Sequence, residues 1–273
     1  MGKLKYFIVK NKVMIIIISI ILVCAIAIAI GVFAQVTNRK VIVHNDNTNQ
    51  KVYNDFETKF NDIFTNEIKI QNSANKDLNY DDIIYTAYDI NEEKPNYNIQ
   101  AKIPLFKLEN ETTNSINKEI YDVFISTIIN IAKTATVPTT FNLDYVVYIN
   151  NNTLSLVIRC IYKDGNNPQR NIIKAYNYNL ENNKIITISE MLEYKGLNKE
   201  EVQKSINEKI KEKNKQMKSI SEQGYNVFTR NEQDNMYKVE NTTNFFLGQD
   251  DYLYLVYAYG NNNFTSEMDL VIF

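Results

Sequence analysis

Residues 252–273 read YLYLVYAYGNNNFTSEMDLVIF. Apolar and polar positions alternate on both sides of Gly260-Asn261-Asn262-Asn263. This predicts two strands, Tyr252–Tyr259 and Phe264–Phe273, in an antiparallel hairpin. A two-residue or a four-residue loop pairs 259 with 264, so the register parity is the same for both. One face then holds Leu253, Leu255, Tyr257, Tyr259, Phe264, Met268, Leu270 and Ile272, with Ser266 among them, and is expected to be the core face. The other holds Tyr252, Tyr254, Val256, Thr265, Glu267, Asp269, Val271 and Phe273, with Tyr254 expected opposite Asp269 and Val256 opposite Glu267. A face of tyrosines and carboxylates suits recognition of a protein or a sugar, because Tyr adds contact area at low entropic cost. A plain half-exposed sheet face fits the same pattern. Tyr252, Tyr254, Glu267 and Asp269 are the candidate ligand-binding residues.

Upstream, Phe245–Leu247 reads as a further strand. Asn198, with Glu201 three residues on, caps a helix whose apolar stripe is Val202, Ile206, Ile210 and Met217. Its lysines at 209, 211, 213, 215 and 218 alternate with Glu208 and Glu212 and read as a solvated face. Ile185–Ile188 is a short strand and Ser189–Tyr194 a helical turn. Arg170–Asn179 is a strand, and Phe141–Ile149 with Thr153–Lys163 make a hairpin around Asn150-Asn151-Asn152. Cys160 shares a face with Leu154, Leu156 and Ile158 and reads as an inert core thiol. Asn114–Ala132 is a helix with Ile116, Ile120, Val123, Phe124, Thr127 and Ile131 inward. Ile83–Ile90 and Tyr97–Phe106 are strands joined by a Glu-Glu-Lys-Pro turn. The class that follows is α+β, with helices packed on a mostly antiparallel sheet. Ser-Ile-Asn-x-x-Ile recurs at 115–120 and 205–210, which leaves open a split into two related subdomains, 81–180 and 181–273.

At the other end, Val13–Ala34 is an uncharged run of 22 residues. As a helix it is about 33 Å long, enough to cross a bilayer core. Lys3, Lys5, Lys10 and Lys12 precede it, so residues 1–12 are expected in the cytoplasm and the bulk of the chain outside, in a single-pass arrangement. A cleaved signal peptide is the rival reading, with Val32, Ala34 and Gln35 at the cleavage site. The apolar run exceeds the roughly 7–15 residues of such a signal and favours an uncleaved anchor. Residues 35–80 then form a polar stalk, with an amphipathic helix at Val52–Ile68.

Hydrophobic residues make up 44% of the 273 and the formal net charge is −2, with one His, two Cys and no Trp. That excludes paired imidazoles, a disulfide framework and a cysteine-rich zinc site, and argues against nucleic acid as partner. No cofactor or metal site is expected. The first 40 residues hold six of the 30 Lys/Arg and none of the 32 Asp/Glu, which leaves the exported part at −8. Such a surface steers a cationic partner, or simply keeps the domain soluble. About 40 Asn, the preference for Lys over Arg, and the wealth of Ile and Tyr point to AT-rich codons and a low-GC, Gram-positive bacterium.

The run Phe-Phe-Leu…Leu-Val-Tyr-Ala-Tyr-Gly-Asn…Thr-Ser-Glu-Met-Asp, preceded by Ile-Asn-Glu-Lys-Ile, resembles the exported domain of lysozyme-sensing anti-sigma factors. The same domain is the non-catalytic N-terminal module of some peptidoglycan deacetylases. Ile-Gln-Ala-Lys-Ile-Pro-Leu-Phe and Ser-Ile-Asn-Lys-Glu-Ile fit its first half. The resemblance spans roughly 80–273 and implies an envelope domain that binds lysozyme or another wall-associated ligand. Residues 1–12, under four helical turns, are too short to hold a sigma factor, so anti-sigma activity is not carried over. Nor is deacetylase activity, since the chain closes at Phe273. The expected function is thus a membrane-anchored extracytoplasmic binding or sensing module, for a cationic protein or a wall glycan, and not an enzyme. The alternatives are a wall hydrolase using Glu267 and Asp269 as paired carboxylates, and a purely structural envelope protein.

Overall fold

Alternating β-branched and aromatic residues build the first sheet. The computed structural model describes residues 71–72, 83–248 and 251–273, all within one compact unit, Asp55–Phe273. The expected anchor at 13–34, the stalk helix at 52–68, His44, and Val32, Ala34 and Gln35 lie outside the described residues. Among the described residues no helix is long and apolar enough to cross a membrane.

Two residues, β1 (Gln71–Asn72), pair in parallel with Tyr148 and Ile149. β2 (Ile84–Lys94) and β3 (Tyr97–Phe106) form a hairpin in which Lys94 pairs with Tyr97, so the turn is Pro95-Asn96 and both glutamates stay in the strand. β4 (Thr139–Asn150), β5 (Thr153–Asp164) and β6 (Arg170–Asn179) follow antiparallel, and β7 (Lys184–Ile185) ends the sheet. Asn151, at φ 52°, supplies the left-handed residue of the two-residue β4–β5 turn. β3 and β4 are parallel, because a helical crossover joins them.

That crossover starts at Asn110, whose side chain caps α1 (Glu111–Ile120) in a capping box with Thr113. It continues through a π-helical turn, Tyr121–Ile125, into α2 (Ser126–Thr134). The wider turn advances the apolar phase by one residue, so Ile128 rather than the expected Thr127 is buried, with Ile116, Ile120, Phe124, Ile125 and Ile131. These side chains pack on Ile99, Ile103, Phe141, Leu143, Leu156 and Ile158 of the sheet.

The second half is a smaller sheet that also carries helices on one face. β8 (Phe245–Leu247), β9 (Leu253–Ala258) and β10 (Met268–Ile272) form an antiparallel sheet in the order β10-β9-β8. α3 (Ile188–Lys195) and α4 (Lys199–Ser221) cover one face of it. Asn198 caps α4 as expected, by accepting from the N–H groups of Glu200 and Glu201. Val202, Ile206 and Ile210 are buried, whereas Met217 is only partly covered.

The other face of the small sheet packs on the first. Tyr254, Val256, Ala258 and Leu270 meet Val146, Tyr148, Val157 and Ile173, with Phe246 stacked between Tyr148 and Tyr254 at 5.8 and 4.8 Å. The fold is therefore α+β in four layers, helix–sheet–sheet–helix.

The expected C-terminal register is corrected. Asp269 pairs with Tyr257 and Leu270 with Val256, a register three residues from the expected pairing. An odd shift exchanges the faces of the second strand. Asp269 and Val271 join Leu255, Tyr257 and Tyr259 beneath α4, while Met268, Leu270 and Ile272 turn to the first sheet. The cause is the connection. Residues 259–261 form a 3-10 turn, Asn263 N–H donates to Tyr259 C=O, and the chain regains strand geometry only at Met268. Phe264, expected in the core, is 54% exposed.

Candidate ligand-binding cleft

The four candidate residues do not form one recognition face. Tyr252 is 49% exposed at the end of β9, but Tyr254 is 1% exposed and faces the first sheet. Asp269 is fully buried on the opposite face and Glu267 half-buried in the loop before β10. Glu267 and Asp269 do come together, around a residue the sequence reading overlooked.

Arg230, on the strap between α4 and β8, donates to both Asp269 oxygens, from Nε at 2.5 Å and Nη2 at 3.0 Å, and to Glu267 Oε2 at 3.0 Å. Its plane lies over the Tyr259 ring at 5.1 Å. Tyr259 hydroxyl donates to Asp269 at 2.6 Å, and Tyr237 hydroxyl to Tyr259 at 2.9 Å. Burial works against the guanidinium charge, but the hydrogen bond and charge of Asp269 more than reverse this and raise its pKa. Burial likewise drives the Tyr259 phenol up, reinforced by Asp269. Every oxygen of the two carboxylates is engaged, since Phe228 N–H fills Glu267 Oε1. This cluster clamps the strap to the sheet, and neither carboxylate is presented to a substrate.

The open site lies along β6. β7 pairs only with Tyr178 and Asn179, so the outer edge of β6 before them is uncovered by strand. Side chains and loops meet it instead. Asn244 Oδ1 accepts from Ala175 N–H, Asn261 Nδ2 donates to Ile173 C=O, and Thr265 C=O accepts from Asn171 N–H. Gly260 lies so close that an added Cβ would stand 2.4 Å from the Asn171 carbonyl oxygen.

Where these segments part they leave a cleft of about 510 Å³. Tyr162, Arg170, Ile172 and Lys174 form its floor, with Cys160 beneath. The π turn forms one wall through Val123 and Phe124, with Thr127 just beyond it. Asn241, Thr242, Thr243 and Asn244 form the other, with Asn261 and Asn262 at the end. π turns inside α-helices often mark functional sites, since the wider turn re-aims side chains. Burial raises the pKa of the Cys160 thiol and of the Tyr162 and Tyr257 phenols, so all three are neutral at neutral pH. The charge in the cleft therefore comes from Arg170 and Lys174. Cys160 is wholly buried and unreactive in this setting.

Two signals could have located this site. Asn241-Thr-Thr-Asn244 is a compact run of hydrogen-bonding side chains, and Arg170 is one of only four arginines among 30 basic residues. The π turn has no such local signature.

No family model matches the sequence, and no curated protein matches it. Two DUF3298 proteins are among the solved structures that show a distant likeness. A DUF3298 family protein from Pseudomonas aeruginosa PAO1 is 11% identical over 67% of this chain and 84% of its own, with a TM-score of 0.39. A DUF3298 family member from Bacteroides fragilis NCTC 9343 is 12% identical over 64% of this chain and 81% of its own, with a TM-score of 0.37.

Proposed function

We propose that the chain is a membrane-anchored extracytoplasmic binding module of the bacterial envelope and that its ligand occupies the β6 cleft. The observation that carries the reading is the cleft lining, where the amides and hydroxyls of Asn241, Thr243, Asn244 and Asn262 accompany the half-buried Tyr162 ring over a volume typical of small-ligand sites. Such a surface hydrogen-bonds a polar ligand and stacks on its apolar faces, as glycan recognition requires. The apolar run at 13–34 and the resemblance to the exported domain of lysozyme sensors and deacetylases support the envelope setting. Titration of the full-length chain with a peptidoglycan digest tests it. Saturable binding is expected, with a loss of at least about tenfold in Thr243→Trp, which fills the cleft from its exposed lip. Unchanged binding in that variant would sink the assignment. The −8 charge of the exported part favours a second reading, in which a cationic protein such as lysozyme docks on the outer surface. Binding of lysozyme that survives Thr243→Trp but fades with salt would select it.

A further inference from the structure

The exported part carries −8, yet among the described residues that line the cleft two are basic and none is acidic. Resting on the reading of this cleft as the ligand site, we infer that it takes an anionic sugar, a polyhydroxylated ring bearing a carboxylate or a phosphate. The first support is how this chain uses arginine. Lys outnumbers Arg 26 to four, so each Arg stands against the bias of the composition. A guanidinium differs from an ammonium in its planar fork, which matches carboxylate and phosphate. Arg230 uses that fork on Asp269, and Arg159 stands directly opposite Asp144 across β4 and β5. Among the described residues Arg170 has no carboxylate partner. Its Nε donates to the Gly260 carbonyl at 2.8 Å, its Nη2 reaches the Asn261 carbonyl at 3.5 Å, and its plane lies 5.1 Å from the Phe264 ring. The group is thus oriented by two carbonyls and a ring, and Nη1 has no protein acceptor among the described residues.

The second support is Lys174, whose ammonium lies 2.9 Å from Glu119 at the rim. That bridge is partly exposed and weak, so an incoming anion can take the place of Glu119. The third is Asn261, whose Nδ2 is used on Ile173 while its buried Oδ1 has no donor among the described residues. An unmet acceptor beside a held cation fits a ligand that offers an anion and a neighbouring hydroxyl.

Calorimetry on the full-length chain with two matched pairs of probes tests this: N-acetylmuramic acid against N-acetylglucosamine, and glucose 1-phosphate against glucose. At least one anionic sugar is expected to bind about tenfold tighter than its neutral counterpart, by an advantage that shrinks with added salt. The pair with the larger gap names the anion. Arg170→Gln and Lys174→Gln are each expected to reduce that binding about three- to tenfold. Should Arg170→Gln lower the melting temperature, Lys174→Gln decides, because its exposed bridge contributes little to stability. Neutral sugars binding as tightly as anionic ones would overturn the inference and leave the cleft reading intact. Failure of all four probes, or anionic binding unaffected by Thr243→Trp, would overturn both.

Discussion

Arg230 and Arg170 sit over aromatic rings at the same 5.1 Å, yet their surroundings differ in kind. Arg230 has a side chain 2% exposed and two carboxylates that answer its charge. Arg170 lines an open cleft and is held by backbone carbonyls and a ring, with its charge unanswered by any carboxylate of the cleft lining. A saturated buried pair fastens structure. A held cation without a carboxylate suits the anion proposed for the cleft. The two carboxylates that look like a site in the sequence belong to the fastening, and the cation that looks incidental belongs to the cleft.

Substitutions break or sharpen that contrast. Arg230→Met strands Asp269 without a partner in the core and should cost about 3–5 kcal/mol in urea unfolding. Adding Asp269→Leu should recover much of the loss, because the unpaired charge goes with it. Gly260→Ala forces a methyl onto the Asn171 backbone and should cost up to about 3 kcal/mol, while also loosening the cleft end that holds Arg170. Tyr259→Phe removes the hydroxyl bonded to Asp269 and should cost about 1.5–2 kcal/mol, without effect on the cleft. Arg170→Gln inverts the pattern, with less than about 1 kcal/mol lost in stability and the main effect on ligand affinity.

The phenols of the fastening add a dependence on pH. Burial chiefly, with Asp269 nearby, pushes Tyr237 up to about 12. An unfolded tyrosine ionises near 10, so between these values the folded state holds a proton that the unfolded state has lost. Stability is thus full below about pH 10 and falls as pH rises toward 12. Urea midpoints at pH 9 and pH 11 should differ in that direction. In Tyr237→Phe the difference should shrink.

Most of the first sheet's strands, the Asn198 cap and the Asn151 turn were legible because their causes are local. Alternation marks β3, β5 and β6, and Asn198 and Asn151 act through their own short side chains. The register of β10 was not legible, because Gly260 docks on the Asn171 backbone about ninety residues away and lengthens the connection. An odd change there reverses every inward and outward assignment on the strand. The cleft was hidden for a related reason. Its floor comes from β5 and β6 and its walls from the π turn and the 241–244 segment, none of which carries the site alone. Arg170 was the accessible clue, through its rarity.

The short strand β8 has a consequence for how the chain comes into being. Leu247 N–H donates to Ser155 Oγ, and Phe245 C=O accepts from Asn177 Nδ2, so the first sheet satisfies backbone groups of the second. Those partners leave the ribosome some 70–90 residues earlier. The half made first therefore serves as the template on which the half made last assembles, and a C-terminal half synthesised alone lacks the surface that completes its sheet.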